Sequence, residues 1–397
     1  MARLAVMYSV SLNFHKKQLK QRRDERRMMR YTEKAFSMNE NEFKANYRVS
    51  KDLFHEIFEN IKPFMQSPKR RSDLLPKYKV LVALSFYATG SYQRLVGGSY
   101  GTLMSQQSTS RSIREVTAAL NHPLIQRKWI KFPQTRRERD AVKLRFFEKF
   151  SIPSVIGCID GTHIAIIRPS ENEERFFNRK HFHSRNVMIV SQYFWLLLNC
   201  NSLLMKLVKY LCFIYFQIAD SDLRILSVDA SFGGASHDSF VWNQHPVKQH
   251  LIELNNNGET VFLLGDSGYA QREYMMTPIV DAHQGSPEEY YTKLHCTARN
   301  TVERTIGVLK NRWRCLIGHR VLHYHPDVAA KIINACCVLH NMCINRIYFD
   351  QDENTAEYGN DYPTVTSQES TSSTAAELRQ GIEKRNVLVQ QLWASRR

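Results

Sequence analysis

The sequence predicts an α+β protein in which an all-α segment precedes a core that mixes strands and helices. Three observations support this. Apolar residues recur at helical spacing from about Tyr47 to Phe150, strand-length apolar runs occupy 155–264, and a long helical pattern begins near Asn300. The chain has 397 residues, 43% of them hydrophobic, enough to build a core, and a net charge of +17. That charge is concentrated. Residues 1–150 hold 31 Lys and Arg against 13 Asp and Glu, whereas 151–397 hold 24 against 25. A polyanionic partner is therefore expected at the N-terminal part rather than over a uniform basic coat.

Residues 1–42 read as a basic arm. Within it, 15–30 carry eight cationic side chains and two acids, a pattern of either a solvated helix or a nuclear-localisation or phosphate-contacting segment. Residues 43–150 read as helical. Leu53, Ile57, Ile61 and Phe64 make one apolar face, and Tyr78–Ala88 forms a second helix ended near Gly90. A shorter unit, Tyr92–Val96, leads through Gly97, Gly98 and Gly101 to a helix over about 108–120. Ile113, Val116 and Leu120 share one side of it, while Gln107, Ser110, Arg111 and Arg114 point elsewhere. Two helices about a glycine turn, the second with a basic polar face, have the helix-turn-helix layout of DNA-binding domains; a plain helical bundle is the alternative. Ser112 and Glu115 have capping-box spacing, with Ser108 an equal candidate for the helix start.

Residues 151–349 form the expected core. Val155–Ile159, Ile164–Ile167, Val187–Val190, Arg224–Val228 and Val261–Leu264 read as strands. Residues 350–397 read as a flexible acidic, Ser/Thr-rich tail with one terminal helix. The eight cysteines contain no CxxC pair and are too sparse for a disulfide scaffold, which points to a reducing intracellular compartment. The short apolar start runs directly into lysines and arginines, and no signal peptide is expected.

Four acids fall where an unpaired charge is costly. Asp160 and Asp266 close strands in GCIDGTH and LLGDSGY, Glu303 begins the helix at Asn300, and Asp238 sits in SHDS. Acids at strand ends beside small residues can converge on hard divalent cations, Mg²⁺ or Mn²⁺, which prefer oxygen ligands and keep positions open for water and phosphate. Two such ions roughly 3.5–4 Å apart activate an attacking water and stabilise a leaving oxygen. Singly, each acid is an ordinary turn or cap residue. Along the predicted helix, Glu303, Gly307, Lys310 and Arg314 share one stripe, a carboxylate followed by two cations where a phosphodiester backbone could lie.

The blocks GCIDGTH (157–163), FFNRKHFHS (176–184), GGASHDS (233–239), LLGDSGY (263–269), RNTVERTIGVLKNRWRCL (299–316) and ACCVLHNMC (335–343) resemble the PIF/Harbinger transposase family, and more narrowly its transposase-derived nucleases. The resemblance covers about 45–345. It implies an RNase H-like DDE core, with Asp160, Asp266 and Glu303 as the catalytic and metal-binding triad and Asp238 as a candidate fourth ligand. We accordingly expect a divalent cofactor, Mg²⁺ or Mn²⁺ and in the two-ion form, and metal-dependent hydrolysis of DNA phosphodiesters, with Arg179, Lys180, Lys310 and Arg314 holding phosphates. The resemblance further implies a Myb/SANT-like or trihelix-type partner protein that shares DNA recognition and brings the chain into the nucleus, with the cytoplasm as a second location. No membrane partner is expected, and the oligomeric state is left open. The rival reading is a domesticated DNA-binding protein that keeps the acids without cleaving.

Two lookalikes compete. GDSG at 265–268 matches a serine-protease nucleophile block, but Tyr269 follows it and no upstream histidine block exists. Cys337, His340 and Cys343 suggest zinc, yet their apolar helical setting favours core packing. His163, His181 and His183 are weak candidates for positioning phosphate or water. Finally, Tyr193–Phe216, YFWLLLNCNSLLMKLVKYLCFIYF, is long enough to cross a membrane but carries Lys206 and Lys209 inside it. It interrupts what reads as an ordinary hairpin, and we read it as translated intron sequence foreign to the core.

Overall fold

The computed structural model describes residues 2–31, 34–70, 73–98, 103–192, 223–345 and 375–396. The suspected insertion, 193–216, and residues 350–374 of the expected tail lie outside them. The chain divides into two compact units, Met1–His122 with Arg312–Cys315, and Pro123–Asn311 with Leu316–Arg397.

Among the described residues the first unit is helical: α1 (Ala2–Tyr31), α2 (Lys34–Ser37), α3 (Glu40–Tyr47), α4 (Lys51–Ile61), α5 (Pro76–Thr89), α6 (Gln93–Gly98) and α7 (Gln106–Leu120). Polar caps set the starts. Asn39, Ser50 and Ser105 each accept from a backbone N–H of the first turn of α3, α4 and α7. The Leu53, Ile57, Ile61 face of α4 is buried, and α5 is buried on nearly all sides. Gly90 ends α5 at φ +63°, a left-handed conformation that glycine adopts without strain. Neither Ser112 nor Ser108 starts α7. Ser105 does, and Glu115 pairs instead with Lys79 of α5 at 2.8 Å. A β-carbon on Gly97 would overlap the Thr109 hydroxyl, so α6 and α7 touch through that glycine.

The second unit opens with α8 (Pro123–Trp129) and α9 (Arg136–Phe150), the latter started by a Thr135–Glu138 capping box. Five strands follow: β1 (Val155–Ala165), β2 (Ser184–Gln192), β3 (Arg224–Gly233), β4 (Phe262–Leu264) and β5 (Met275–Met276). Their order is β3-β2-β1-β4-β5, with β1, β2 and β3 antiparallel and β1, β4 and β5 parallel. Helices α10 (Asp238–Gln244) and α11 (Pro246–Asn256) connect β3 to β4, and α12 (Pro287–Arg312) and α13 (Pro326–Asn345) follow the sheet. α13 is buried along most of its length, and Asn341 bonds both the amide and the carbonyl of Ile225 on β3.

The structure corrects three expectations. The runs 155–159 and 164–167 are not two strands. β1 is continuous through Asp160 because β2 pairs with it from Cys158 to Ala165. α12 begins at Pro287 rather than Asn300, with Glu288 and Glu289 in its first turn and Ser286 accepting from the Glu289 amide. Glu303 is therefore mid-helix. At the C-terminus, α14 (Ala375–Ala394) is packed, not loose: Gly381, Leu388, Val389 and Leu392 are buried at helical spacing. The Gln271 side-chain amide donates to the Gly381 carbonyl, and Arg385 donates to the Thr277 carbonyl.

Candidate active site

The site forms where the β1–β4 pairing stops. Their last paired residues are Cys158 and Leu264, and Asp160 and Asp266 each lie two positions beyond. With no paired neighbour strand on that side, both carboxyls face the same opening. Side chains alternate along a strand, so Asp160 lies on the same face of β1 as Cys158. Asp238 arrives from the first turn of α10, where the Asn186 side-chain amide on β2 donates to its Oδ1 at 2.7 Å. Glu303 comes from α12. All four acids belong to the second unit.

Arg299, one turn before Glu303 on α12, joins them. Its Nη2 lies 3.1 Å from Asp160 Oδ1 and 3.9 Å from Asp266 Oδ2, and its Nη1 donates to Glu303 Oε1 at 2.5 Å. The Asp160 and Arg299 side chains are each 17% exposed. Burial pushes the Asp160 carboxyl up to about 7, against the pull of Arg299, and the other three acids add to the rise. Asp238 is also raised, by burial first. The Tyr269 hydroxyl is buried without a hydrogen-bond partner among the described residues and feels the charges of Asp238, Asp160 and Asp266. Sequence reading missed both Arg299 and Tyr269. The only signal for Arg299 was its position one helical turn from Glu303.

Lys310 is half-buried and close enough to Asp160 to feel its charge. Its Nζ donates to Thr162 Oγ1 at 2.7 Å and to the His163 carbonyl at 3.3 Å, and burial pushes it down to about 8. Arg179 and Lys180 lie on the loop before β2. Arg179 is exposed and contacts the His237 ring next to Asp238, and Lys180 is close enough to Lys310 to lower it further. Arg314 leaves the predicted stripe, because α12 ends at Arg312 and Arg314 starts a separate 3₁₀ turn. It groups with the first unit, as do Gln107, Ser110, Arg111 and Arg114 on α7. Gln107, Arg111 and Arg114 are exposed and Ser110 is half-buried, opposite the buried Ile113, Val116 and Leu120.

His163 Nδ1 lies 3.0 Å from Ser184 Oγ, and His183 Nε2 lies 2.8 Å from Glu173 Oε1, while His181 takes a left-handed φ of +61° in the intervening loop. The zinc lookalike is core. Cys337 and His340 are fully buried, and His340 Nε2 bonds the Leu223 carbonyl. Among the described residues, no three His, Cys, Asp or Glu side chains stand as a ready metal shell. Arg299 lies between the acids that would form one. The donor set nonetheless suits a hard cation: four carboxylates and an orphaned buried hydroxyl, with the imidazoles of His163 and His237 close enough to Asp238 to feel its charge.

The profile described as "DDE superfamily endonuclease" matches residues 208–341, a span that includes Asp238, Asp266 and Glu303. The chain is 31% identical over 301 residues to "Putative nuclease HARBI1" of Bos taurus, covering 75% of this chain and 76% of that protein. The Homo sapiens protein of that name is 30% identical over the same shares. "Protein ALP1-like" of Arabidopsis thaliana is 24% identical over 323 residues, 76% of this chain and 70% of that one. No solved structure matches the chain. Together with the mixed sheet, these matches define the class as a DDE-type endonuclease core. More narrowly, the chain belongs to the family of Harbinger transposase-derived nucleases typified by HARBI1.

Proposed function

We propose that the protein is a divalent-metal-dependent DNA endonuclease. The observation that carries this reading is the convergence of Asp160, Asp266 and Glu303 on one guanidinium at the end of the β1–β4 pairing, with Asp238 beside them. The strand order β3-β2-β1-β4-β5, three strands antiparallel and the last two parallel to β1, supports an RNase H-like core.

Asp160, Asp238, Asp266 and Glu303 would hold Mg²⁺ or Mn²⁺. When bound, two such ions activate the attacking water and stabilise the leaving oxygen of an in-line displacement. The protein's own part is positioning. Asn186 fixes the Asp238 carboxyl, Lys310 ties β1 at Thr162 and His163 to α12, and Arg179 and Lys180 offer cations to the scissile phosphate. In the first unit, α6 and α7 meet at the Gly97–Thr109 contact, and α7 exposes Gln107, Arg111 and Arg114, an arrangement suited to a helix-turn-helix DNA contact. A Myb/SANT-like or trihelix partner that shares recognition, and residence in the nucleus, complete the reading.

Plasmid nicking in Mg²⁺ or Mn²⁺, with Asp266→Asn as control, tests it. Cleavage by the wild type, abolished in the variant, is the expected result. DNA binding without cleavage by either protein would favour the domesticated, non-cleaving alternative.

A further inference from the structure

We propose that Arg299 is a displaceable counter-ion, a latch that occupies the cation position of the acid cluster until a divalent ion drives it out. The inference rests on the metal-site reading above and concerns how that site is loaded.

The guanidinium bridges acids from three separate elements: Asp160 on β1, Asp266 beyond β4 and Glu303 on its own helix. One positive charge against these three carboxylates leaves an excess of negative charge, to which Asp238 adds and which Lys310, near Asp160, offsets in part. Arg299 is held by charge alone. Among the described residues its buried Nε has no acceptor, and its Nη atoms meet carboxylates. An arginine meant as a permanent strut looks different. Arg185 in the same unit donates to the Ala230, Ser231 and Pro326 carbonyls as well as to Asp327. The acids also have reach that Arg299 does not use: Asp238 is held by Asn186 instead, and the Tyr269 hydroxyl has no partner among the described residues.

These features describe competition for one position. Like charges gathered in a partly buried site must be neutralised, and here a tethered monovalent cation does so. A divalent ion brings twice the charge and accepts more oxygen ligands than a planar guanidinium can donate to. To enter, it must pay for releasing Arg299. Apparent affinity is then the intrinsic affinity reduced by the fraction of molecules with the latch open. Once released, Arg299 remains on α12 one turn from the site, a planar donor suited to a phosphate oxygen pair.

Two measurements on the full chain test this. In the first, Mn²⁺ binding is followed by calorimetry and by the rise in Tm. Arg299→Met should bind Mn²⁺ at least about tenfold more tightly than wild type, Arg299→Lys should fall between, and the Met variant's metal-free Tm should be lower and its metal-induced rise larger. In the second, the Arg299 Nε–H resonance of the wild-type protein should shift on titration with Mg²⁺, a readout that needs no variant to fold. Wild-type or weaker Mn²⁺ affinity in a folded Arg299→Met protein would overturn the latch and leave the metal site standing, as would an Arg299 resonance that stays fixed while Mg²⁺ binds. Absence of Mn²⁺ binding in both wild type and variant would overturn the metal-site reading and the latch with it.

Discussion

Gly161 and Asp238 are in contact through the space a side chain would occupy: a β-carbon on Gly161 would stand 2.6 Å from Asp238 Oδ2 and closer still to the rest of the carboxyl. Gly161 is locked in β1 by its pairing with Met188, so the strand cannot yield. In Gly161→Ala the carboxylate must therefore leave its bond from Asn186. We expect a loss of nicking of at least about tenfold, the scale at which misplaced groups at an active site are felt, with β1 still formed by circular dichroism. Full activity in a folded Gly161→Ala protein would show that the Asp238 position is not needed.

Arg179 is exposed, whereas Lys310 is half-buried with two bonds to β1. Arg179→Ala should leave stability within about 0.5 kcal/mol of wild type and reduce the salt slope of DNA binding by about 1. Lys310→Met should instead cost about 1–3 kcal/mol, because the Thr162 hydroxyl and His163 carbonyl lose their donor. Denaturant melts and a salt titration of DNA affinity separate the two roles.

Glu259 anchors α9 to the segment before β4. Arg139 donates to it twice, at 2.9 and 2.5 Å, and Lys143 once at 2.9 Å. These bonds, Arg139's foremost, hold its carboxyl down at about 2, below its ordinary value of 4.5. A depressed folded pKa contributes stability that is fully present above 4.5 and is lost as pH falls toward 2. After solvent screening the contribution is about 1–2 kcal/mol. Urea melts at pH 7 and pH 3 should show a smaller drop for Glu259→Gln than for wild type.

Gly381 is the notch by which α14 seats. A β-carbon there would stand 2.6 Å from the Arg272 Cα, a backbone atom that cannot swing aside. Gly381→Val should undock the helix and open residues 375–394 to limited proteolysis, with the sheet intact. Equal protease resistance in the two proteins would mean that α14 seats in another way.

Gln192 and Arg224 are cross-strand partners at the open ends of β2 and β3. A short connection suffices between adjacent residues, so deletion of 193–216 should preserve the fold and leave Tm equal or higher. Unfolding of the deletion protein would show that the segment belongs to the core. Sequencing the transcript checks whether messages carry it at all.

The acid-bearing blocks were legible because Asp160, Asp238 and Asp266 each stand in a short segment whose strand or turn character is local, while Glu303 stands in a helical pattern. Glycine and small residues beside them signal close backbone approach before any contact is known. Helix starts were less legible: α12 depends on Ser286, Pro287 and the acids after it, a cap that lies well before the apolar pattern at Asn300. Arg314 was placed by continuing a 3.6-residue period past Arg312, where the helix stops.

The sequence by itself determined the family, the acid-bearing blocks and the concentration of basic charge in the first 150 residues, because these rest on residue type and short-range spacing. Tertiary structure alone decided that Asp160 and Asp266 share one opening, that Asp238 is held by Asn186, and that Arg299 stands among the acids. Each is a long-range pairing set by strand register and helix packing, and a guanidinium's partners cannot be read from the residues beside it. The same reason explains α14: a terminal helix was expected, but only the packed surface at 271–277 gives it a seat.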